Sequence, residues 1–157
     1  AVLGRDQLKM LDKQIIKRNL IANLYLNGLK DYYQKYKFFK YPNFTCHTCP
    51  LKQNYKKCNR CTHAFYRLNL FINKSTRQQL KLVEQLNKNK ISCSIGSCPE
   101  IYREKIFKKL KLLPKKRLPN AKLLGETSIM FPISIHKSLL KLKLEINLIK
   151  KILNKYI

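Results

Sequence analysis

The sequence is organised around a cysteine-rich stretch, C-H-T-C-P-L-K-Q-N-Y-K-K-C-N-R-C, which runs from Cys46 to Cys61. The stretch contains two Cys-x-x-Cys pairs. Each pair lets two thiolates converge on one ion from a tight turn, and four sulfurs make the tetrahedral set that structural zinc prefers. The spacing therefore predicts a structural Zn²⁺ site, with disulfides or free thiols as the alternatives. The predicted ligands are Cys46, Cys49, Cys58 and Cys61.

Basic residues crowd these cysteines. Cations near the sulfurs lower thiol pKa values and offset the negative charge of a four-thiolate site, and they also indicate a polyanionic partner. The neighbouring His47 and His63 are expected to support the site or face RNA, because four cysteines already complete the ligand set. The basic residues of the loop are Lys52, Lys56, Lys57 and Arg60.

The charge balance of the whole chain favours a nucleic-acid partner. Its 157 residues include 34 Lys and Arg against 8 Asp and Glu, which gives a net charge of +26. The positive charges of a free protein with this composition repel one another, and a permanently bound polyanion is the simplest way to neutralise them. Nucleic acid is the polyanion that we expect. The apolar content of 45% argues against a disordered tail. No secretory signal is visible, and no apolar stretch is long enough to span a membrane.

Hydrophobic periodicity predicts helices and a strand on both sides of the cysteine loop. Residues 5–40 have apolar residues at helical spacing and are predicted to form one long or broken helix that ends before Pro42. The run from Ala64 to Asn73 suits a short strand packed over the loop. Ser75 is the expected N-cap of a helix that continues through Leu86.

The second half of the chain contains a third cysteine pair, Cys93 and Cys98, with a wider gap. We favour two interpretations of this pair: inert thiols, or half of a metal site shared with another chain. A local disulfide, or replacement of ligands in the first metal site by this pair, is less favoured. Pro99 and Glu100 are predicted to begin a helix that Pro114 ends.

Two further segments follow. The basic run Lys115-Lys116-Arg117 predicts an extended arm in an RNA groove, with a solvated linker as the alternative. Residues 138–157 contain neither Gly nor Pro. Their alternating leucines are typical of a strand, but their length and the continuing isoleucine pattern favour a helix, which we predict. Apolar residues on several faces of that helix imply packing against another chain.

These patterns together predict a mainly α fold. Helices are expected to surround a small zinc-knuckle module with extended basic segments, and the chain is expected to have low intrinsic globularity because it has little core of its own. The predicted organisation is a basic N-terminal helix over residues 1–41, a zinc-knuckle RNA-binding module over residues 42–90 and a C-terminal helical extension over residues 91–157.

No catalytic constellation is visible in the sequence. It has no Gly-rich phosphate loop and no nucleophile elbow. Glu100 and Glu104 are spaced i,i+4, but the basic residues around them favour a solvated helix face over an acid–base pair. The chain is therefore predicted not to be an enzyme and to take no small-molecule substrate.

The segments P-L-K-Q-N-Y-K-K-C-N-R-C, Pro50 to Cys61, and F-Y-R-L-N-L-F-I-N-K-S-T-R-Q-Q-L, Phe65 to Leu80, resemble small-subunit ribosomal protein family fourteen, particularly its mitochondrial members. The similarity covers about residues 9–80, and the family's closing tryptophan motif is absent. The resemblance implies an RNA-binding protein in the head of the small ribosomal subunit. Its motif positions fall on Asn59, Arg60, Tyr66, Arg67 and Arg77.

The resulting hypothesis is a structural constituent of the mitochondrial small ribosomal subunit, which binds ribosomal RNA and neighbouring ribosomal proteins. The alternative is an accessory subunit of a mitochondrial membrane or redox complex, whose cysteines form disulfides or hold an iron–sulfur cluster. A DNA-binding zinc module is less favoured, because no recognition-helix pattern follows the cysteines. The residues predicted to contact RNA are Lys52, Lys56, Lys57, Arg60, Tyr66, Arg67, Arg77, Lys115, Lys116 and Arg117.

Overall fold

A computed structural model of the chain describes residues 2–36, 39–40, 62–73, 75–96 and 100–156. Three helices open the chain: α1 (Val2–Lys9), α2 (Leu11–Gly28) and α3 (Lys30–Gln34). The broken form of the predicted N-terminal helix is confirmed as far as Gln34, but Phe39–Lys40, which the prediction placed in that helix, form a strand. Helix α2 buries two pairs of residues at i,i+4 spacing, which places them on one face of the helix. These residues are Ile21, Ala22, Tyr25 and Leu26.

Four strands form one antiparallel sheet in the order β1-β2-β4-β3. The strands are β1 (Phe39–Lys40), β2 (Arg67–Ile72), β3 (Ser94–Ile95) and β4 (Ser128–Pro132). The long central ladder pairs Leu68 with Phe131 and Leu70 with Ile129. The predicted strand within residues 64–73 is therefore confirmed by β2. The sheet in which β2 is a central strand was not predicted.

The other helices in the described ranges are α4 (Thr76–Lys88), a short 3-10 helix (Ile101–Arg103), α5 (Lys105–Lys109), α6 (Pro119–Thr127) and α7 (Leu139–Leu153). The N-cap prediction at Ser75 is confirmed, because Ser75 and Gln78 form a capping box at the start of α4. The helical prediction after Ser138 is confirmed by α7. No helix within the described ranges is long and apolar enough to cross a bilayer.

The single helix predicted to run from Pro99 to Pro114 is wrong. Helix α5 ends where Lys111 adopts a left-handed backbone with φ of 55°. The amide of Leu112 then bonds the Phe107 carbonyl, which closes the turn as helix C-termini commonly do.

One continuous core joins the sheet to the helices. Alternate residues of β2 point inward, as the two-residue period of a strand requires. They pack with the apolar faces of α2, α4 and α7, and the Tyr25 and Phe131 rings lie 6.1 Å apart between centroids. The predicted mainly α fold class of low intrinsic globularity, built on a zinc module, is therefore wrong. The buried strand residues are Leu68, Leu70, Ile72, Ile129 and Phe131.

The core draws residues from all three predicted segments, 1–41, 42–90 and 91–157. The division of the chain at those boundaries stays a prediction. Long-range polar contacts accompany the apolar core. The buried Gln79 side chain of α4 donates to the Ser128 carbonyl at 2.7 Å, which fixes α4 against the start of β4. A buried amide with this partner avoids the cost of an unpaired polar group.

Another buried polar contact links α2 to α7. The Tyr25 hydroxyl donates to Glu145 Oε1 at 2.6 Å, and Lys137 donates to Glu145 Oε2 at 2.6 Å. Burial raises the pKa of Tyr25 above its usual range, and the Glu145 carboxylate raises it further. The phenol therefore stays protonated and keeps donating.

Packing between α2 and α7 leaves no room for a side chain at Gly28. A Cβ at this position would lie 2.5 Å from Ile146 Cγ2. We expect Gly28→Ala to destabilise the fold by about 1–3 kcal/mol, because overpacking outweighs the gain in helix propensity of about 0.5–1 kcal/mol. The measurement is the free energy of unfolding from urea titration. Gly4→Ala is the control, since a Cβ there has no atom within 4 Å. A Gly28→Ala variant at least as stable as the parent would contradict this packing.

Candidate functional site: a cleft at the end of the central ladder

An open cleft of about 330 Å³ lies where the first residues of β2 meet the last residues of β4. The antiparallel register brings these ends together, since Arg67 pairs with Pro132. The cleft is lined by Tyr66, Arg67, Ser92, Cys93, Ser94, Met130, Pro132, Ile133 and Ser134. Its volume is at the small end of the range typical of small-molecule sites.

The approach to β2 is held in an uncommon backbone conformation. Phe65 has φ of 41°, in the left-handed region that bulky residues rarely enter, and its side chain is fully buried. The Phe65 amide donates to His63 Nδ1 at 3.0 Å, while Asn19 of α2 donates to the His63 carbonyl at 2.7 Å. Burial lowers the pKa of His63, which favours the neutral ring that this acceptor role needs. Tyr66 is consequently turned outward and is 65% exposed.

Two guanidinium groups lie close to the Tyr66 ring. The Cζ atom of Arg67 is 5.4 Å from the ring centroid and that of Arg18, from α2, is 5.7 Å away. Both distances are within the range of cation–π attraction. Arg67 Nη1 also reaches Met130 Sδ at 3.2 Å, and Arg18 Nη2 donates to Gln14 at 3.2 Å. The Nε of Arg18 is buried and has no hydrogen-bond partner among the described residues.

The far wall of the cleft offers hydroxyls and an inert thiol. Ser92, Ser94 and Ser134 supply groups that can both donate and accept hydrogen bonds. Cys93 is a free, buried cysteine, and burial raises the pKa of its thiol to about 11. A thiol that stays protonated at neutral pH is a poor nucleophile and a poor metal ligand. The inert alternative predicted for Cys93 is therefore favoured, whereas Cys98 lies outside the described residues.

Ion pairs and hydrogen bonds of Glu100 join the start of the short 3-10 helix to the segment that precedes α6. Glu100 is only 8% exposed and accepts from Arg117 Nε at 2.8 Å, from a second Arg117 nitrogen and from the Tyr102 hydroxyl. Arg117 Nη1 also pairs with Glu126 at 3.1 Å. The Arg117 guanidinium, helped by Tyr102 and Arg103, lowers the pKa of Glu100 to about 2. The prediction of a solvated Glu100 is wrong, because its partner lies 17 residues further along the chain.

The structure does not bring those predicted site residues that it describes together in one site. Tyr66 and Arg67 lie together in the cleft, whereas Arg77 is exposed on α4. Lys115 and Lys116 are exposed, but Arg117 forms the ion pairs just described and is not free to act as an RNA arm. The remaining predicted residues lie outside the described ranges: Cys46, Cys49, Lys52, Lys56, Lys57, Cys58, Arg60 and Cys61.

Sequence reasoning missed Arg18 and the serine wall. Arg18 shares α2 with two other cations, Lys13 and Lys17, and only its contact with Tyr66 distinguishes it. Ser94 belongs to a strand of only two residues, and Ser134 follows β4, so neither position stands out by periodicity. Residues 129–133 are apolar without alternation, so they gave no two-residue period that would have indicated β4.

The family of the chain follows from comparison with known proteins. Residues 1–142 match the model of the DegT/DnrJ/EryC1/StrS aminotransferase family. The chain belongs to this family. A comparison with curated protein sequences finds no match.

Solved structures of aminotransferases share the fold. An aminotransferase from Psychrobacter cryohalolentis is 26% identical with a TM-score of 0.80, and the match covers 98% of this chain and 38% of that one. The Helicobacter pylori aminotransferase PseC, involved in pseudoaminic acid biosynthesis, is 18% identical with a TM-score of 0.72, covering 98% and 36%. A Streptococcus pneumoniae protein assigned as a sugar aminotransferase, solved in its PMP form, is 16% identical with a TM-score of 0.71, covering 99% and 34%. This chain thus spans little more than a third of the length of each.

These findings overturn the ribosomal interpretation. The family match replaces the resemblance to ribosomal protein family fourteen, and with it the predicted ribosomal RNA and ribosomal protein partners. The alternative of a membrane or redox accessory subunit is also wrong, as is the prediction that the chain belongs to no class of enzyme. Zinc as cofactor is wrong too, since a protein of this fold carries PMP. Within the described ranges, no three His, Cys, Asp or Glu side chains are grouped to hold a metal.

The contacts of Glu100 with Arg117, Tyr102 and Arg103 (the Glu100 cluster) make the free energy of unfolding depend on pH in the acid range. The folded-state pKa of Glu100, about 2, is below its ordinary value of 4.5, so its ionised form stabilises the fold. This contribution is complete above pH 4.5 and is lost as the pH falls to about 2. We expect Glu100→Gln to lower the free energy of unfolding at pH 7, with the difference from the parent shrinking between pH 4.5 and 2. Denaturant titrations across this range measure it.

Glu84→Gln is the matched control for this experiment. Its carboxylate pairs with Lys88 on an exposed face of α4, where ion pairs contribute little. We therefore expect a much smaller effect at pH 7. Equal effects of the two substitutions would contradict a special role of the Glu100 cluster.

Proposed function

We propose that this chain forms part of a sugar aminotransferase, an enzyme that transfers an amino group to the carbonyl of a keto sugar. The observation that carries the proposal is the family match over residues 1–142. Two proteins of the same fold support the sugar as substrate class. One is involved in pseudoaminic acid biosynthesis, and the other is assigned as a sugar aminotransferase.

The chemistry of the cleft suits a sugar. Sugar hydroxyls both donate and accept hydrogen bonds, and the hydroxyls of Ser92, Ser94 and Ser134 can do the same. The exposed ring of Tyr66 offers an apolar face on which the C–H groups of a sugar ring can pack. A few convergent polar groups beside an aromatic surface are typical of small-molecule sites.

The cleft does not by itself fit the cofactor of the reaction. When bound, PMP supplies the amine that an aminotransferase passes to its acceptor, and PLP enzymes hold the cofactor through a lysine amine. Among the described residues that line this cleft there is no lysine and no carboxylate. We therefore assign the cleft to the substrate and derive no step through the cofactor.

The test is a half-reaction with the purified protein that carries this chain, loaded with PMP. A panel of keto sugars is added, and conversion of PMP to PLP is followed by absorbance. We expect conversion with at least one keto sugar and none with the matched reduced sugar, which lacks the carbonyl acceptor. Conversion by simple 2-keto acids alone would contradict the proposed substrate class, and no conversion by any carbonyl compound would contradict the proposed activity.

A further inference from the structure

One segment in the second half of the chain leaves the core and returns to the point where it began. Residues 101–116, which we call the α5 loop, are all described and include no buried residue. They form the 3-10 helix, α5 and the turn after it. Arg117 joins the two ends of the loop by its bonds to Glu100, and the Leu118 amide donates to the Tyr102 hydroxyl at 3.1 Å. The loop is therefore held at its base but contributes no residue to the core.

The α5 loop exposes large apolar side chains. The Leu110 amide bonds the Ile106 carbonyl at 2.9 Å, which places these two residues on one face of the last helical turn. The Leu112 amide bonds the Phe107 carbonyl at 3.0 Å, so the turn brings Leu112 back to the end of the helix. Single exposed apolar residues are normal, but a group of them on one short segment indicates a binding surface. The residues that are between 46% and 61% exposed are Ile101, Ile106, Leu110, Leu112 and Leu113.

Lysines separate these apolar residues. The α5 loop contains six lysines and one acidic residue. All six lysines are exposed, and none of them forms an ion pair with another described residue. Arg117 at the base differs, because it is paired with Glu100 and Glu126. The loop thus carries uncompensated positive charge on Lys105, Lys108, Lys109, Lys111, Lys115 and Lys116.

This mixture of side chains favours a lipid surface over a protein or a nucleic acid. The centre of a protein–protein interface is depleted in lysine. A nucleic acid would pair its phosphates with the lysines but would leave the leucines in water. A bilayer satisfies both kinds of side chain, since apolar groups enter the boundary of the acyl chains while the lysine ammonium groups stay among the headgroups. Anionic headgroups attract such a basic segment.

We propose that the α5 loop docks this protein on the surface of an anionic phospholipid bilayer. Ile106, Leu110 and Leu112 enter the boundary between the headgroups and the acyl chains, and the lysines between them contact lipid phosphates. The ion pair between Glu100 and Arg117 keeps the two ends of the loop together. The docking surface is separate from the substrate cleft, because the loop supplies none of the residues that line it. Lipid binding and amination can therefore fail independently.

Cosedimentation with vesicles tests the docking surface. The purified protein that carries this chain is mixed with vesicles of phosphatidylcholine alone, or of phosphatidylcholine and phosphatidylglycerol in equal parts. We expect binding to the anionic vesicles that weakens as salt is added, and little binding to phosphatidylcholine. Leu112→Ser should lower the affinity at least about tenfold, because it removes an inserted side chain. Lys108→Gln combined with Lys109→Gln should do the same, because it removes two charges at the headgroups.

Helix α7 supplies matched controls. Leu144→Ser replaces a leucine that is 61% exposed, as Leu112 is. Lys141→Gln combined with Lys143→Gln removes two charges from exposed positions of that helix. We expect neither variant to change vesicle binding. Equal losses in the loop and helix variants would overturn the α5 loop as the docking surface. A parent protein that binds neither kind of vesicle, or binds both equally, would overturn it as well.

Tryptophan fluorescence reports whether the α5 loop enters the lipid. The 157 residues contain no Trp, so Leu112→Trp adds a reporter to the loop and Leu144→Trp adds one to α7. We expect anionic vesicles to shift the emission of Leu112→Trp to the blue and to leave that of Leu144→Trp unchanged. If the emission of Leu112→Trp is already blue-shifted without vesicles, protein covers the loop and the proposal is wrong. A shift caused by polyuridylate but not by vesicles would assign the loop to a nucleic acid and also overturn the proposal.

Discussion

The pairing of β2 with β4 is the interaction on which the rest of the structure depends. Strand β2 buries one face against the helices, and its register with β4 buries Ile129 and Phe131 beside it. A slip of one residue would turn these apolar side chains to the opposite face. The same register brings Arg67 next to Pro132, so the cleft exists only because the ladder is aligned this way. Core and candidate site are thus two consequences of one ladder.

The strongly basic composition has a simpler consequence than an RNA partner. The chain has few carboxylates, and some of them pair with cations away from the cleft. Glu100 pairs with Arg117, and Glu145 pairs with Lys137. The lining of the cleft is left with one cation, Arg67, and three serine hydroxyls. The net charge of a protein indicates the sign of the charge on its partner, but it does not indicate the class of molecule to which the partner belongs.

Local signals in the sequence predicted local structure. The alternation in residues 64–73 indicated β2, and Ser75 indicated the start of α4, because both depend on residues close in sequence. The sheet was not predictable in the same way, since β1 and β3 each have only two residues and carry no periodicity. The spacing of the cysteines led to the zinc hypothesis. Such a motif shows which residues could bind a metal, but it does not show whether the fold needs one. Tyr66 and Arg67 were identified, but for an RNA role. Arg18 became visible only when the fold placed it beside Tyr66, 48 positions further along the chain.

Hydrogen exchange of the backbone amides tests most directly whether the central ladder holds this fold. We expect the amides of Leu68, Leu70 and Phe131 to exchange slowest, at similar rates and only through global unfolding, and we expect a zinc chelator to leave their rates unchanged. Fast or unequal exchange of β2 and β4, or loss of their protection on chelation, would contradict the claim that the sheet and its helices form the stable core.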